Sequence, residues 1–318
     1  MSAARRSPGE QGNVTLDHKG RELQAGVADR VAAALRRLQA LPLPAGLYVV
    51  ATPIGNLGDI TLRALAVLAQ ADVLYCEDTR HSRTLLAHFG LARPTRPYHE
   101  HNAARQRPHV LAELAAGRSV ALVSDAGTPL VSDPGYKLVR EAAAAGFPVT
   151  ALPGPSAPLA ALVSAGLATD TFLFAGFLPS RRNARQARLE ELKAVPASLI
   201  FFEAPSRLAD SLGDIAAVLG DRDAAVAREL TKLHEEVRRA APAELARWAA
   251  EAMPRGEIVV VIGPPVARSV TDEAISAQLA PLIAGMSLSD AVRTVAQDLG
   301  VPRKRVYDLA LAGQRRTD

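Results

Sequence analysis

From Gly46 onward the chain keeps one rhythm: a short apolar run, a loop rich in Gly and Pro, then an amphipathic stretch. The apolar runs LYVVAT (47–52), DVLYC (72–76), SVALVS (119–124) and FPVTAL (147–152) alternate with helical patterns at 62–70, 82–89, 103–116 and 136–145. Such alternation builds a parallel sheet with crossover helices. The strands are almost continuously apolar, as required when helices cover both faces of the sheet. A second set follows in FLFAGF (172–177), SLIFFE (198–203), AAVAREL (224–230), EEVRRA (235–240) and EIVVVIG (257–263), with helical patterns at 185–193, 206–219 and 243–251. The runs at 224–230 and 235–240 are too close for a crossover, so they predict an antiparallel hairpin and a mixed second sheet.

Boundaries fall where composition changes. Residues 1–44 read as a flexible N-terminal extension with a short helix at 28–41, closed by Pro42 and Pro44. Residues 45–155 then form one α/β domain and 156–265 a second, divided at LPGPSAP (152–158). After Pro264 and Pro265 the tail 266–318 reads as helical at 272–284, 288–299 and 303–311, with Ser287 or Ser289 as the cap of the middle helix. Gly300 at the turn gives a helix-turn-helix spacing. Spacing alone favours a plain helical hairpin packed on the core over nucleic-acid contact.

The 318 residues suffice for two domains, and 48% apolar with 22% charged composition is that of a globular chain. Residues 142–169 carry no charge and are long enough to span a membrane, but Pro148, Pro153, Pro155 and Pro158 break a spanning helix, so no membrane segment is expected. No signal-peptide pattern opens the chain, and Cys76 is its one cysteine, which excludes an internal disulfide and a Cys-cluster zinc site; a reducing cytoplasm is expected. The excess of 37 basic over 33 acidic residues suits an anionic partner such as nucleic acid, or no partner at all.

Chemistry-bearing residues gather after the strands, where open α/β sheets place their ligands. In ATPIGNLGDITLRAL (51–65), Gly55 and Gly58 allow close backbone approach, and Thr61 or Asp59 can cap a helix. In SDAGTPLVSDPGYKLV (124–139), Asp125 and Asp133 bracket a turn-rich loop. LPGPSAPLAAL (152–162) stiffens a third loop. YCEDTRHSRTLL (75–86) sets Glu77, Asp78, Arg80, His81 and Arg83 together after a strand. Paired carboxylates beside a His suit acid–base work, although Asp78 also reads as a helix cap. YHEHN (98–102) reads as a polar rim, not a metal site, because His99 and His101 at i, i+2 diverge on a strand. ARELTKLHEEVRR (227–239) reads as a charged hairpin turn.

Taken together, TPIGNLGDIT, EDTRHSRTLL, SDAGTPLVSDPGYKLV, PGPSA, GFLP (176–179), FFEAPSRL (201–208), RELTKLHEE and GEIVVVIG resemble the tetrapyrrole methylase family of S-adenosylmethionine-dependent methyltransferases. They are most similar to its RsmI-type branch, which methylates ribose 2'-hydroxyls of small-subunit ribosomal RNA. The resemblance covers roughly residues 46–263. It implies a two-domain tetrapyrrole-methylase-like (class III methyltransferase) α/β fold with a small C-terminal helical appendage, a homodimer, and S-adenosylmethionine held in the cleft between the domains. Carried onto this chain, the cofactor contacts are Pro53, Ile54, Asp125, Ala126, Gly127, Thr128, Ser156 and Ala157 in the first half, and Phe202, Ala227 and Gly256 in the second. Glu77 and Asp78 become candidates to orient or deprotonate the hydroxyl; Arg80, His99, Asn102 and Lys232 become candidates to hold phosphate or base. The implied substrate is a cytidine of the small-subunit RNA, free or in the assembled subunit. The chain departs from the branch in its N-terminal extension and in Ser206, where the branch often has His. Two other readings compete: a corrin- or porphyrin-type small-molecule methyltransferase, and a non-catalytic RNA-binding assembly factor. The branch motifs and an Arg-rich surface at Arg181, Arg182, Arg185 and Arg188 argue against the first, and intact cofactor loops against the second.

Overall fold

The computed structural model describes residues 11–132, 135–265 and 271–314; Asp133 of the second loop motif lies outside them. Residues up to Pro265 form one compact unit, and those after it form another.

The first unit opens with helix α1 (Gln11–Ala40). This is a correction to the extension pictured above: the helix starts well before residue 28 and runs up to Pro42, which cannot continue it. A five-stranded sheet follows, built from β1 (Gly46–Val50), β2 (Val73–Cys76), β3 (Thr95–Pro97), β4 (Ser119–Val123) and β5 (Val149–Leu152). Its order is β3-β2-β4-β1-β5 and every pairing is parallel. β3 escaped the sequence reading because three residues, Thr95, Arg96 and Pro97, carry no apolar alternation. The crossovers are α2 (Leu62–Gln70), α3 (Thr79–His88), α4 (Ala103–Ala115) and α5 (Tyr136–Ala144). Ala64, Val67 and Leu68 of α2 and Leu86 of α3 pack on one sheet face. Val110 and Leu114 of α4 and Leu138 and Ala142 of α5 pack on the other. Strands covered on both sides bury whole runs such as Leu47 to Val50, each large side chain contributing about 1.5–3 kcal/mol.

The connection from β1 leads past β4 to β2, whereas that from β4 leads past β1 to β5. The chain therefore reverses direction between β1 and β4, and the loops leaving their carboxyl ends part to open a crevice.

The second sheet contains β6 (Phe172–Phe177), β7 (Ser198–Glu203), β8 (Ala224–Arg228), β9 (Glu236–Ala240) and β10 (Ile258–Ile262), in the order β6-β7-β10-β8-β9. Only β6 and β7 run parallel, and β8 and β9 form the expected antiparallel hairpin. One face is covered by α7 (Arg182–Leu192), α8 (Leu208–Leu219) and α9 (Pro242–Ala252). The other packs on α6 (Ala157–Ala165) and on Ile54, which the loop after β1 inserts among Ile200, Ala225 and Val259. Thus one residue of the first half completes the apolar layer of the second.

Of the Arg-rich surface expected at 181–188, Arg181, Arg182 and Arg188 are exposed and Arg185 is not. Arg185 is buried on α7, its guanidinium bonded to the equally buried Asp214 at 2.6 Å, and Arg182 shares that carboxylate at 3.2 Å. Arg188 pairs with Glu191. A buried ion pair must satisfy its own charges, so Arg185 holds α7 to α8, while Arg181, Arg182 and Arg188 stay exposed.

The second unit holds α10 (Asp272–Ile283), α11 (Leu288–Leu299) and α12 (Arg303–Gln314) around its own core of Ile275, Leu279, Val292, Val295 and Val306. Ser287 caps α11 by accepting the Asp290 amide, and Gly300, at φ +62°, makes the turn into α12. Among the described residues no helix is long and apolar enough to cross a membrane.

Candidate functional site

Three loops meet at the carboxyl end of the first sheet. Thr52 and Gly127 exchange backbone hydrogen bonds at 2.9 and 3.0 Å, and the Thr52 hydroxyl donates to the Ser124 carbonyl at 3.2 Å. The Thr128 hydroxyl donates to the Pro155 carbonyl at 3.1 Å, tying in the loop after β5. Gly127 sits at φ +77°, and a Cβ there would lie 3.2 Å from the Ile54 methyl. Leu130 and Ser132 hold φ values of +74° and +67°, conformations that cost a non-glycine residue about 1–2 kcal/mol each. Strain concentrated beside a crevice marks a loop shaped for a ligand.

The crevice is a cavity of about 410 Å³. Its first wall is Ile54, Ala126, Gly127, Thr128, Ser156 and Ala157; its second includes Phe202, Glu203, Ala204, Gly256 and Val259. Eight of the eleven expected cofactor residues line it, and Pro53, Asp125 and Ala227 do not. Ala227 is locked in the ladder between Val259 and Val237, and Asp125 turns toward the end of β2. The sequence reading passed over Val131, Ser132, Phe177, Glu203 and Val259, although Phe177 and Glu203 lie within GFLP and FFEAPSRL. Glu203 is buried: one oxygen accepts the Ala204 amide at 2.9 Å and the other the Ser211 hydroxyl at 2.5 Å, while Arg207 faces it at 3.4 Å. These bonds hold the Ala204–Pro205 turn against the cavity.

The opposite corner is built on Glu229 and Gly256. Glu229 stands at φ +51° and its amide donates to the Glu257 carbonyl at 2.9 Å. Its carboxylate accepts the Glu257 amide and the Lys232 ammonium, both at 2.9 Å, and Lys232 reaches Glu257 at 3.2 Å. The Lys232 bond holds the Glu229 carboxyl below its ordinary pKa. Burial opposes the charge on Lys232, but its bonds to Glu229 and Glu257 prevail and raise its pKa. The Lys232 stem lies over Gly55, where a Cβ would come within 2.4 Å of it. Lys232 therefore joins the hairpin turn to the loop after β1.

Beside the cavity, at the ends of β2 and β3, lies a polar cluster. Asp78 caps α3, accepting the Arg80 amide at 2.8 Å and its guanidinium at 2.9 Å, and these bonds lower its pKa to about 2. Its own amide donates to Asp125 at 2.8 Å, and His81 stands 3.6 Å from the other Asp125 oxygen. Glu77 differs: half-buried, and facing the Asp125 charge, its carboxyl is raised above its usual pKa. The structure thus separates the two candidate bases, leaving Asp78 firmly ionised and engaged, and Glu77 closer to the range useful for proton transfer. Asn102 is buried and committed to its own loop, accepting the His99 amide at 2.9 Å and donating to the Pro97 carbonyl at 3.1 Å. It also stands 3.1 Å from His99 Nε2, so it orients the imidazole. Among the described residues no group of three His, Cys, Asp or Glu side chains could hold a metal ion.

Comparison with known proteins gives matches along most of the chain. The model of the Tetrapyrrole (Corrin/Porphyrin) Methylases matches residues 46–246, and that of the RsmI C-terminal HTH domain matches 269–314. A protein of Mesorhizobium japonicum named ribosomal RNA small subunit methyltransferase I is 54% identical over 85% of this chain and 92% of its own length. One of the same name from Escherichia coli O157:H7 is 45% identical, over 84% and 95%. Among solved structures, diphthine synthase superposes with a TM-score of 0.54 at 17% identity, over 68% of this chain and 89% of that one, a likeness of fold alone.

Proposed function

The chain belongs to the tetrapyrrole (corrin/porphyrin) methylase family, and we propose that it transfers a methyl group from S-adenosylmethionine to the ribose 2'-hydroxyl of a cytidine in small-subunit ribosomal RNA. The observation that carries this reading is the juxtaposition of a mainly apolar cavity at the reversal between β1 and β4 with the polar cluster of Glu77, Asp78, Asp125 and His99 on the adjacent strand ends. The relatives named ribosomal RNA small subunit methyltransferase I support the substrate class.

The residues present fit the cofactor. The cavity volume of about 410 Å³ lies within the range of small-ligand pockets. Gly127 and Gly256 line the cavity at φ +77° and +96°, where a Cβ would press on Ile54 and Glu229, so both walls present bare main chain there. Ile54, Phe202 and Val259 supply apolar contact for a flat ring, and Ala126 to Thr128 with Ser156 and Ala157 supply main-chain polar groups. Bound there, S-adenosylmethionine supplies an electrophilic methyl group on a sulfonium.

The chain's own task is to present the hydroxyl in line, exclude water and receive a proton. When the hydroxyl oxygen takes the methyl group, its proton would pass to the Glu77 carboxylate. Its raised pKa makes it a better acceptor than Asp78. Arg80, exposed beyond Asp78, and His99 offer charge and hydrogen bonds to the nucleotide, and Asn102 sets the His99 ring. Lys232 contributes by closing the hairpin turn onto Gly55. The two halves 45–155 and 156–265 act as domains around the cleft, and the cytoplasmic enzyme works as a homodimer; Leu159 and Val163, exposed one turn apart on α6, give apolar surface for the second copy.

The test is transfer from labelled S-adenosylmethionine to small ribosomal subunits that lack the modification, with nuclease mapping of the product. Label in 2'-O-methylcytidine supports the reading. Cofactor binding without label on RNA refutes it and favours a small-molecule acceptor.

A further inference from the structure

Resting on that reading, we propose that the carboxyl edge of the first sheet is an RNA-binding platform. In it Arg63, Arg83, Arg105 and Lys137 hold phosphates on both sides of the polar cluster, and Tyr136 stacks on an unpaired base.

Parallel topology fixes the location. Each of α2, α3, α4 and α5 begins where a strand of the first sheet ends, α2 and α3 on one face, α4 and α5 on the other. Helices of this kind usually carry Asp or Glu in their first turn, where the dipole favours negative charge. None of these four does. Arg63, Arg80, Arg105 and Lys137 stand in those positions instead, with Arg83 one turn further along α3. Arg80 is paired with Asp78. Arg63, Arg83, Arg105 and Lys137 are exposed and have no carboxylate partner among the described residues. The acids of this edge divide. Glu77, Asp78 and Asp125 gather at the centre, with Asp125 exposed, and Asp59 and Glu100 are exposed apart from them.

Unpaired cations in places that disfavour them mark a surface shaped for an anion. Their spread over two sheet faces suits an extended polyanion better than a small one. Tyr136 adds the second element. It is 66% exposed beside the loop of Val131 and Ser132 that lines the cavity, with the Arg140 guanidinium 5.7 Å from its ring. An exposed aromatic ring backed by a cation is the usual platform for a nucleobase.

Binding of purified small-subunit ribosomal RNA to the full chain, followed by anisotropy across a salt series, tests this. The variant R63Q/R83Q/R105Q/K137Q should flatten the slope of log K against log salt by about 3, at roughly 0.7–0.9 per lost phosphate contact. Y136A should weaken binding about tenfold at every salt concentration with the slope unchanged, and Y136F should not. The control R36Q/R37Q/R181Q/R247Q removes four exposed cations elsewhere in the chain and should leave the slope as it is. Unchanged cofactor binding and melting temperature verify that each variant is folded. An unchanged slope in the first variant, or equal flattening in the control, overturns the platform while leaving the methyltransferase reading intact. Wild-type chain that binds assembled subunits but not the RNA overturns the platform in favour of a protein partner. Wild-type chain that binds neither overturns both readings.

Discussion

Gly256 offers a quantitative test of how the cavity corner is held. Its φ of +96° lies in the region reserved for glycine, and a Cβ would stand 2.3, 2.4 and 2.5 Å from Oε1, Cδ and Cγ of Glu229. Gly256→Ala therefore incurs two costs. Holding an alanine at positive φ costs about 1–2 kcal/mol. Glu229 must also withdraw, yet its carboxylate is bonded to the Glu257 amide and to Lys232, and its own backbone is fixed at φ +51°. Losing one charge-assisted bond there costs about 1.5–3 kcal/mol. Together the substitution should cost about 3–5 kcal/mol, lowering the melting temperature by roughly 6–20 °C for a unit of this size. A double-mutant cycle with Glu229→Ala separates the two parts. With the Glu229 side chain gone, Gly256→Ala should add only the backbone cost of about 1–2 kcal/mol, so the pair couples by about 1.5–3 kcal/mol. Thermal denaturation of the four proteins provides the measurement. Equal cost of Gly256→Ala in both backgrounds would refute the packing argument, and no cost at all would refute the backbone argument as well.

Three further outcomes follow from particular groups. Glu77→Gln should lower the transfer rate by about 10²–10⁴-fold with cofactor affinity unchanged, and should abolish the acid limb of the pH–rate profile. That limb should stand above the ordinary carboxylate range because burial and the Asp125 charge raise the Glu77 pKa; a limb that persists in the variant assigns it to another group. Asp72 accepts the amide and hydroxyl of Ser119 at 2.7 and 2.6 Å, which lowers its pKa. Its stabilisation is therefore present above the unfolded pKa and lost as pH falls through the folded one, so the melting-temperature gap between wild type and Asp72→Asn should close on acidification, and a constant gap contradicts this. Arg185→Leu should destabilise by about 3–5 kcal/mol by leaving Asp214 charged and buried, read by denaturant unfolding, with the salt dependence of RNA binding unaltered.

Regular elements were most legible where the local pattern was strong. Phe172–Phe177 and Ser198–Glu203 match the expected strands to the residue because continuous apolar runs end abruptly at polar or turn residues. Asp78 and Thr61 were readable as caps, since a short polar side chain before a helical pattern has few other uses. Arg185 was misread because its partner Asp214 lies on another helix, yet a local signal existed: Arg185, Leu189 and Leu192 recur at i, i+4 and i+7 and share the buried face of α7. Val131, Ser132 and Val259 carry no chemical signature and reach the cavity only because two sheets meet there. Asn102 was legible as a polar residue in a polar loop, but its two internal hydrogen bonds emerge only when His99 and Pro97 fold back over it.

The division of labour between the two sheets follows from their different construction. A parallel sheet ends all its strands on one edge, so β1, β2 and β4 deliver Thr52, Glu77 and Asp125 side by side although they are far apart in sequence. It leaves a crevice there but no cover. The second sheet has antiparallel pairings, so it can bring a hairpin turn and the start of β10 together at one corner, where Glu229, Lys232 and Gly256 meet. Ile54 then buries itself in that second sheet and Lys232 lies on Gly55, so the loop after β1 is held from both directions. A ligand in the cavity touches main chain that is hydrogen-bonded or packed on every side. Glu77, Asp78, Asp125 and His81 stand just outside, on or after strand ends, where solvent reaches Asp125 and His81. On the proposed function, that separation lets one site hold a cofactor in apolar surroundings and still keep the Glu77 carboxylate beside the reacting hydroxyl.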